Sequence, residues 1–556
     1  MNKKVCSFPI LFALLALLIG TCAVVFPASA QAAPTSTGSI TVSGTVASSY
    51  DAYQIFSANV VDGDSDAKIA TDLAWASAAV RDAALPVLHS AGMPNSQTAA
   101  QEAAEWLNTD SHLTSALSAQ LARSLQSSDA ESVALNAGAT AELPCGYWLI
   151  VADDDAIAEG EAGTAPIMAL VGGSAVTVKP KAATPKVQKH VLEDSTAAWQ
   201  KAADATVADD LYWRLSATVP AGLTAYDTYT VRFVDTMSAG LDPSKVAAST
   251  RVYVAVGADG GFDAVSASKD GRVGTEPAKG WTDITAQCAT KVAADGKTFT
   301  VRTGDLIAAL GGADAFAAGA RVVAVYNAPL NSACNHGIAK GNPNEVYLRY
   351  PRSPFADQSG DAGFTRTPSD DACAYTWDLA LTKRGSDGDK PLAGAVLSIA
   401  DDRGRTLAAD GTWDAEGKAT VTTGEDGRVT VSGVDSGKLE VRELKAPKGY
   451  TAFEGTRSVT VKAEGLDVDQ VAAAKPKLTI TAESPLRADS ADGSTGSLEA
   501  SLINTPTGTP PSITTGGFMP STGDMAMYAA AAAAVAGAAL IVVALLVKRG
   551  GGSHKE

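Results

Sequence analysis

Six cysteines, five histidines and a few clustered acids are the residues of this 556-residue chain with the most chemistry to offer. Cys6 and Cys22 fall in an apolar N-terminal stretch, which leaves Cys145, Cys288, Cys334 and Cys373. No two of these have Cys-x-x-Cys spacing, so neither a zinc site nor a dithiol redox centre is expected. Four cysteines allow three pairings. Cys288 and Cys334 fall in one domain by the division below, which makes them the candidate disulfide. The histidines ahead of residue 500 (His89, His112, His190, His336) form no His-Glu-x-x-His pair. Asp62, Asp64 and Asp66 open like a calcium loop, but Ala67 and Leu73 stand where that loop needs Gly and Glu. There is no phosphate-cradling glycine loop. These residues predict no metal, no cofactor and no turnover of an external substrate.

The C-terminal end carries a different kind of chemistry. Met519-Pro520-Ser521-Thr522-Gly523 is followed from Met525 to Val547 by an uncharged apolar run, then by Lys548-Arg549 and a polar tail, 548–556. At about 1.5 Å rise per residue the run makes roughly 34 Å of helix, enough to cross a hydrocarbon core. The cations behind it would hold that end on the cytoplasmic side. As bare physics this is a membrane anchor. The five residues ahead of it resemble the Leu-Pro-x-Thr-Gly sorting signal of Gram-positive surface proteins, with Met519 in place of Leu. The resemblance implies a sortase whose cysteine attacks the Thr522 carbonyl, releases Gly523 and passes Thr522 to an amine. Pro520 suits that role because it keeps the backbone extended.

The N-terminus agrees with secretion. Lys3-Lys4 precede an apolar stretch from Ile10 to Val25, and Ala28-Ser29-Ala30 offers small-residue cleavage, so residues 1–30 read as a signal peptide. Thr21 stands ahead of Cys22 where a lipoprotein signal would carry Gly or Ala. About 490 residues lie between the two processed ends, room for about three domains. A net charge of −17 argues against nucleic acid or anionic lipid as a partner. With 46% hydrophobic residues the chain is nevertheless well cored.

Taken in order, residues 38–56 alternate apolar and polar as strands do. From Asp66 to about Gln126 the period becomes helical: Thr98 with Gln101 reads as a capping box, and Leu113, Leu117, Leu121 and Leu125 recur on one face. Strands return at 147–151, 167–171 and 175–178. This first domain, 35–184, is therefore expected to be β-structure with a helical insertion. Short alternating strands between Gly, Pro and Asp turns fill 185–354, which suggests an Ig-like sandwich. A polar, glycine-containing linker follows at 355–373 and a third domain at 374–507, with a second linker at 508–518. The expected class is mainly β: tandem Ig-like sandwiches between a cleaved signal and a C-terminal anchor.

Val178-Lys179-Pro180-Lys181 closes the first domain, and here the chain resembles the isopeptide-forming shaft pilins of Gram-positive bacteria. In that family the first domain ends in a Tyr-Pro-Lys whose lysine receives the next subunit. Lys179 replaces the Tyr and Lys181 matches the linking lysine. Strand alternation puts both lysines on one face, so only the resemblance favours Lys181. The second domain resembles the pilin middle domain (CnaA-type), in which the Lys189 position crosslinks to an asparagine on the last strand, assisted by Asp235. After Tyr350, however, Pro351-Arg352-Ser353 stand where the family carries Ser-Asn-Asn. No Lys189 crosslink is therefore expected.

The third domain resembles the CnaB type and holds a complete Glu-x-x-Ala-Pro-x-Gly-Tyr box from Glu443 to Tyr450. The resemblance implies a bond between Lys383 and Asn504 with Glu443 assisting. Burial would strip Lys383 of the hydration that favours its ammonium form. A neutral Glu443 could donate to the Asn504 amide oxygen and polarise its carbon, while folding holds amine against carbonyl. The implied function is the shaft subunit of a sortase-assembled, wall-anchored pilus that contributes to adhesion. Its partners would be the sortase, further copies of itself, minor pilins, peptidoglycan and a host ligand. The competing reading is a monomeric anchored adhesin with a CnaB stalk, which would need no linking lysine.

Overall fold

A computed structural model describes residues 36–508 except 45, 65–66, 110, 164 and 181–183. The signal peptide, Lys181, the sorting residues Met519, Pro520, Ser521, Thr522 and Gly523, the apolar run 525–547 and the tail 548–556 lie outside the described residues. Among the described residues no helix is long and apolar enough to cross a membrane. The structure is mainly β, built as successive two-sheet units.

The first unit is organised by a sheet buried on both faces. Its strands Ser49–Asp62 and Gly146–Ala152 pair antiparallel, and their side chains alternate between two cores. Leu149 and Val151 pack on helices Ala78–Ser90, Ala100–Asn108 and Ser115–Gln126 through Val80, Leu88, Leu117, Leu121 and Leu125. Trp148 and Ile150 face the other way, onto Ile40, Val42 and Val178 of a three-stranded sheet. Two-sided burial is why this stretch reads as an unbroken apolar run.

Two expectations for this unit are corrected. The helical stretch does not start at Asp66, because Lys68–Trp75 is a strand whose Trp75 pairs opposite Phe56, with ring centroids 4.8 Å apart. That cross-strand aromatic contact holds it in the sheet. Nor does Thr98 cap the second helix. Glu102 Oε2 accepts from the Thr98 and Ala99 amides at 2.9 and 3.0 Å, while Gln101 donates to Glu105 Oε1 at 2.8 Å. The carboxylate at the third helical position satisfies the free N–H groups.

The second unit is a sandwich. One sheet carries Lys186–Glu193, Tyr212–Val219 and Ala320–Asn327; the other carries Arg232–Met237, Thr298–Arg302 and Asn342–Pro351. Val191, Trp213, Leu215, Phe233, Phe299, Val346 and Leu348 fill the space between them. The segment 355–373 is not a plain linker. Phe364–Arg366 and Asp370–Tyr375 both pair with Asn342–Pro351 and extend its sheet, driven by burial of Phe364, Ala372 and Cys373.

The third unit begins at strand Trp377–Gly385, which lies between Arg428–Val434 and Ser497–Pro506. The opposing sheet holds Val396–Ala400, Gly437–Lys445 and Thr456–Glu464. First and last strands run parallel as neighbours, with Lys383 opposite Leu502 and Gly385 opposite Asn504.

Candidate functional site

Strand parity places the third unit's functional side chains. Leu379, Leu381 and Lys383 share one face of their strand, as do Leu439, Val441 and Glu443, and Leu498, Ala500, Leu502 and Asn504. Each set points inward, so two charges and an amide enter an otherwise apolar core. Lys383 is 0% exposed and Asn504 2%. The Lys383 ammonium donates to Asn504 Oδ1 and lies 3.3 Å from Glu443 Oε1. The Asn504 amide nitrogen donates to Glu443 Oε1 at 2.9 Å and Oε2 at 3.0 Å. The Phe453 amide also donates to Oε2, at 3.1 Å.

The three sequence-expected residues therefore meet, each touching the other two. One detail differs from expectation: Glu443 accepts from the amide nitrogen instead of donating to the oxygen. The two ends of an amide occupy nearly the same volume, and a half-turn of the Asn504 side chain exchanges them. Burial, opposed by Glu443, brings the Lys383 amine down to about 8 from its ordinary 10.5. At neutral pH this leaves about one amine in ten uncharged and nucleophilic.

A second cluster of the same composition lies in the middle unit. Lys189 and Asp235 are both fully buried and form an ion pair. Tyr326 joins them: its hydroxyl accepts from Lys189 Nζ at 2.9 Å and donates to Asp235 Oδ2 at 3.0 Å. Asn344 Nδ2 donates to the same hydroxyl at 2.7 Å. One O–H with two acceptor lone pairs meets all three demands. Burial brings Lys189 down to about 8 and, despite Lys189, pushes the Asp235 carboxyl up. Two buried oxygens here have no partner, Asp235 Oδ1 and Asn344 Oδ1.

Asn344 is a buried asparagine in this unit's core, where the sequence suggested no acceptor. The asparagine is on the expected strand but near its beginning, seven positions before Pro351. Parity could have found it: Asn344, Val346, Leu348 and Tyr350 all point inward. Tyr326 was also missed, since a tyrosine in a strand carries no signal of its own. The presumed linker braces this cluster as well. The Lys189 amide donates to Asp370 Oδ2 at 2.6 Å, and Lys201 Nζ bonds the Lys189 carbonyl at 2.8 Å.

The cysteine expectation is corrected. All four described cysteines are free thiols. Cys288 Sγ donates to the Ile284 carbonyl at 3.2 Å, while Cys334 Sγ lies 3.6 Å from His336 Nε2. Each side chain is committed to its own loop. Among the described residues no group of acids, cysteines or histidines is placed to hold a metal.

Comparison with known proteins gives a match over residues 378–475 to the SpaA family, described as a prealbumin-like fold domain. The trypsin-resistant surface T6 protein of Streptococcus pyogenes serotype M6 is 30% identical over 143 residues. That alignment covers 24% of this chain and 24% of the relative, about a quarter of its length. The solved T6 backbone pilin of serotype M6 Streptococcus pyogenes superposes with a TM-score of 0.45 at 17% identity, over 86% of this chain and 100% of that one. The full-length major pilin SpaD from Corynebacterium diphtheriae does so with a TM-score of 0.40 at 14% identity, over 85% and 98%. Residues 378–475, the stretch that matches the prealbumin-like SpaA domain model, contain Lys383 and Glu443.

Proposed function

We propose that this chain is the shaft subunit of a covalently polymerised surface pilus, stiffened by bonds that its own side chains form. The observation that carries the reading is the buried Lys383–Glu443–Asn504 cluster. An amine, a carboxyl and an amide sealed together in an apolar core cost stability as they stand, and they are the reactants of an amide exchange. The Lys383 ammonium passes a proton to Glu443 across their contact. Glu443 then gives it to the Asn504 amide nitrogen, and the free amine, as it attacks Asn504 Cγ, hands its surplus proton back to the Glu443 carboxylate. The new Nζ–Cγ bond forms as the Cγ–Nδ2 bond breaks, and nitrogen leaves as ammonia. Proximity replaces a bimolecular encounter.

In the middle unit Lys189 and Asn344 take the corresponding roles. Asp235, its carboxyl pushed up by burial, would take the part of Glu443 in relaying the proton. Closing loops of about 120 and about 155 residues would stabilise by roughly 5 kcal/mol each, taking the disulfide loop-entropy estimate over to this bond.

For assembly, a sortase thiol takes Thr522 with loss of Gly523, and Lys181 of another copy releases it as an amide. Repetition head to tail gives an open filament. The last acceptor would be an amine of peptidoglycan, and minor pilins would enter by the same exchange. The decisive experiment is peptide mapping of polymer released from cell walls. It should yield a branched peptide in which Lys181 Nζ is acylated by Thr522. Polymer joined through any other lysine, or no polymer at all, would refute the assignment.

A further inference from the structure

Four arginines stand directly opposite one another across neighbouring strands of the middle unit. Arg366 faces Arg349, Arg349 faces Arg232, and Arg232 faces Arg302. Opposed like charges destabilise a sheet, and this row occurs in a chain of net charge −17. Two carboxylates answer it within the fold. Asp361 lies 3.1 Å from Arg349 Nη1 and also pairs with Arg232, and Glu159 of the first unit lies 2.5 Å from Arg366 Nε. The row stays under-neutralised. Arg232 is 8% exposed and its Nε, buried, has no partner. Burial first, and then neighbouring Arg302, push the Arg232 guanidinium below its ordinary value.

The row ends at a cavity of about 460 Å³ where the first and second units meet. Arg349, Arg352 and Arg366 line it together with Tyr347, Thr365 and Glu159. Arg352 Nη1 is fixed by the Asp154 carbonyl at 3.0 Å, and its Nε is also buried without a partner. Arg366 lies over the Tyr347 ring, 5.3 Å from its centroid, which holds the guanidinium plane in place. The walls thus offer fixed guanidinium forks, a hydroxyl and an aromatic face, with one carboxylate among them. Guanidinium forks match planar or tetrahedral oxyanions in bidentate fashion, and the volume suits a single sugar with substituents.

We propose that this cavity binds a carboxylate- or sulfate-bearing saccharide, its anionic group replacing Glu159 on Arg366 and meeting Arg349 and Arg352. The site does not rest on polymerisation, so monomer carrying Lys181→Ala serves for the test. Titration of that chain with N-acetylneuraminic acid, N-acetylglucosamine 6-sulfate and neutral N-acetylglucosamine, followed by calorimetry, separates carboxylate from sulfate. At least one acidic sugar should bind and the neutral one should not. Arg366→Gln should weaken the binding about tenfold, as losing a charge-assisted contact does. Glu159→Gln should strengthen it, because a competing carboxylate is gone. Both side chains are largely exposed, so the fold should survive, and Arg349→Gln gives a second loss-of-charge variant. Failure of both acidic sugars to bind at about 10 mM, beyond any useful affinity, would overturn the proposal. So would equal binding of the neutral sugar, or weaker binding by Glu159→Gln, which would make the pair a simple joint between units.

Discussion

At the scale of single residues, two lysine amines are buried in apolar cores where desolvation disfavours their charged form. Each bond formed expels one ammonia, so each should lower the intact mass by about 17 Da, and the secreted chain should read about 34 Da below its sequence mass. Glu443→Ala should restore about 17 Da and, with the third unit's loop open, cost roughly 5 kcal/mol of stability. Asn344→Ala should restore the other 17 Da or so while leaving the third unit's bond intact. An unshifted wild-type mass would remove both bonds from the account. The amine also makes a prediction about pH. In Asn504→Ala the bond cannot form, and burial holds folded Lys383 at about 8 against 10.5 in the unfolded chain. Between those values the unfolded chain binds the extra proton, so stability should rise with pH from about 8 to about 10.5 and be flat below. Denaturant titrations of Asn504→Ala, compared with the same variant carrying Lys383→Met, isolate this effect. A stability that falls over that window would mean the amine keeps its proton in the core.

At the scale of elements, alternation decided what could be read from the sequence. The strands of the third unit present their reactive residues at the same parity as their leucines and valines, and the Glu443–Tyr450 box marks the one that crosses from the opposing sheet. That site was legible. The middle cluster was half legible: the resemblance pointed to Lys189 and Asp235, while Asn344, near the start of a strand whose even positions all point inward, was not singled out. The strands 364–366 and 370–375 were hidden because Asp, Ser and Gly dominate that stretch, and only its pairing partners show why it is extended. Strand 370–375 also joins the second and third units, with Ala372 and Ala374 in one core, Cys373 and Tyr375 in the other, and Ala202–Asp204 paired beside it. Asp204, 2% exposed, accepts from Trp377 Nε1 at 2.6 Å and from the Ser436 amide at 3.0 Å. Arg405 Nη2 adds a bond to Asp209 Oδ2 at 2.8 Å. Asp204→Ala would leave the buried Trp377 indole N–H and the Ser436 hydroxyl without their acceptor, about 1–3 kcal/mol for each, while the Ser436 amide keeps Asp435 Oδ1 at 2.6 Å. Calorimetry should then show the second and third units melting separately. One unchanged transition would mean that the joint is held by the strand pairing alone.

At the scale of the whole molecule, the described units meet through short, specific contacts. Gly163 N donates to the Arg352 carbonyl at 2.6 Å, and Tyr350 Oη donates to the Gly160 carbonyl at 2.8 Å, tying the first unit to the second. A shaft pulled from its ends loads the third unit through its first and last strands, which are parallel neighbours. A covalent bond between them would carry that load past the rest of the sandwich. Such stiffening is of use only if the units are joined end to end, which makes polymerisation through Lys181 the central claim. It is tested most directly by boiling wall extracts in SDS and separating them by electrophoresis, from cells expressing the wild-type chain or Lys181→Ala. The wild type should give a ladder of high-mass bands, and Lys181→Ala should give wall-attached monomer alone. A full ladder from Lys181→Ala would contradict the account.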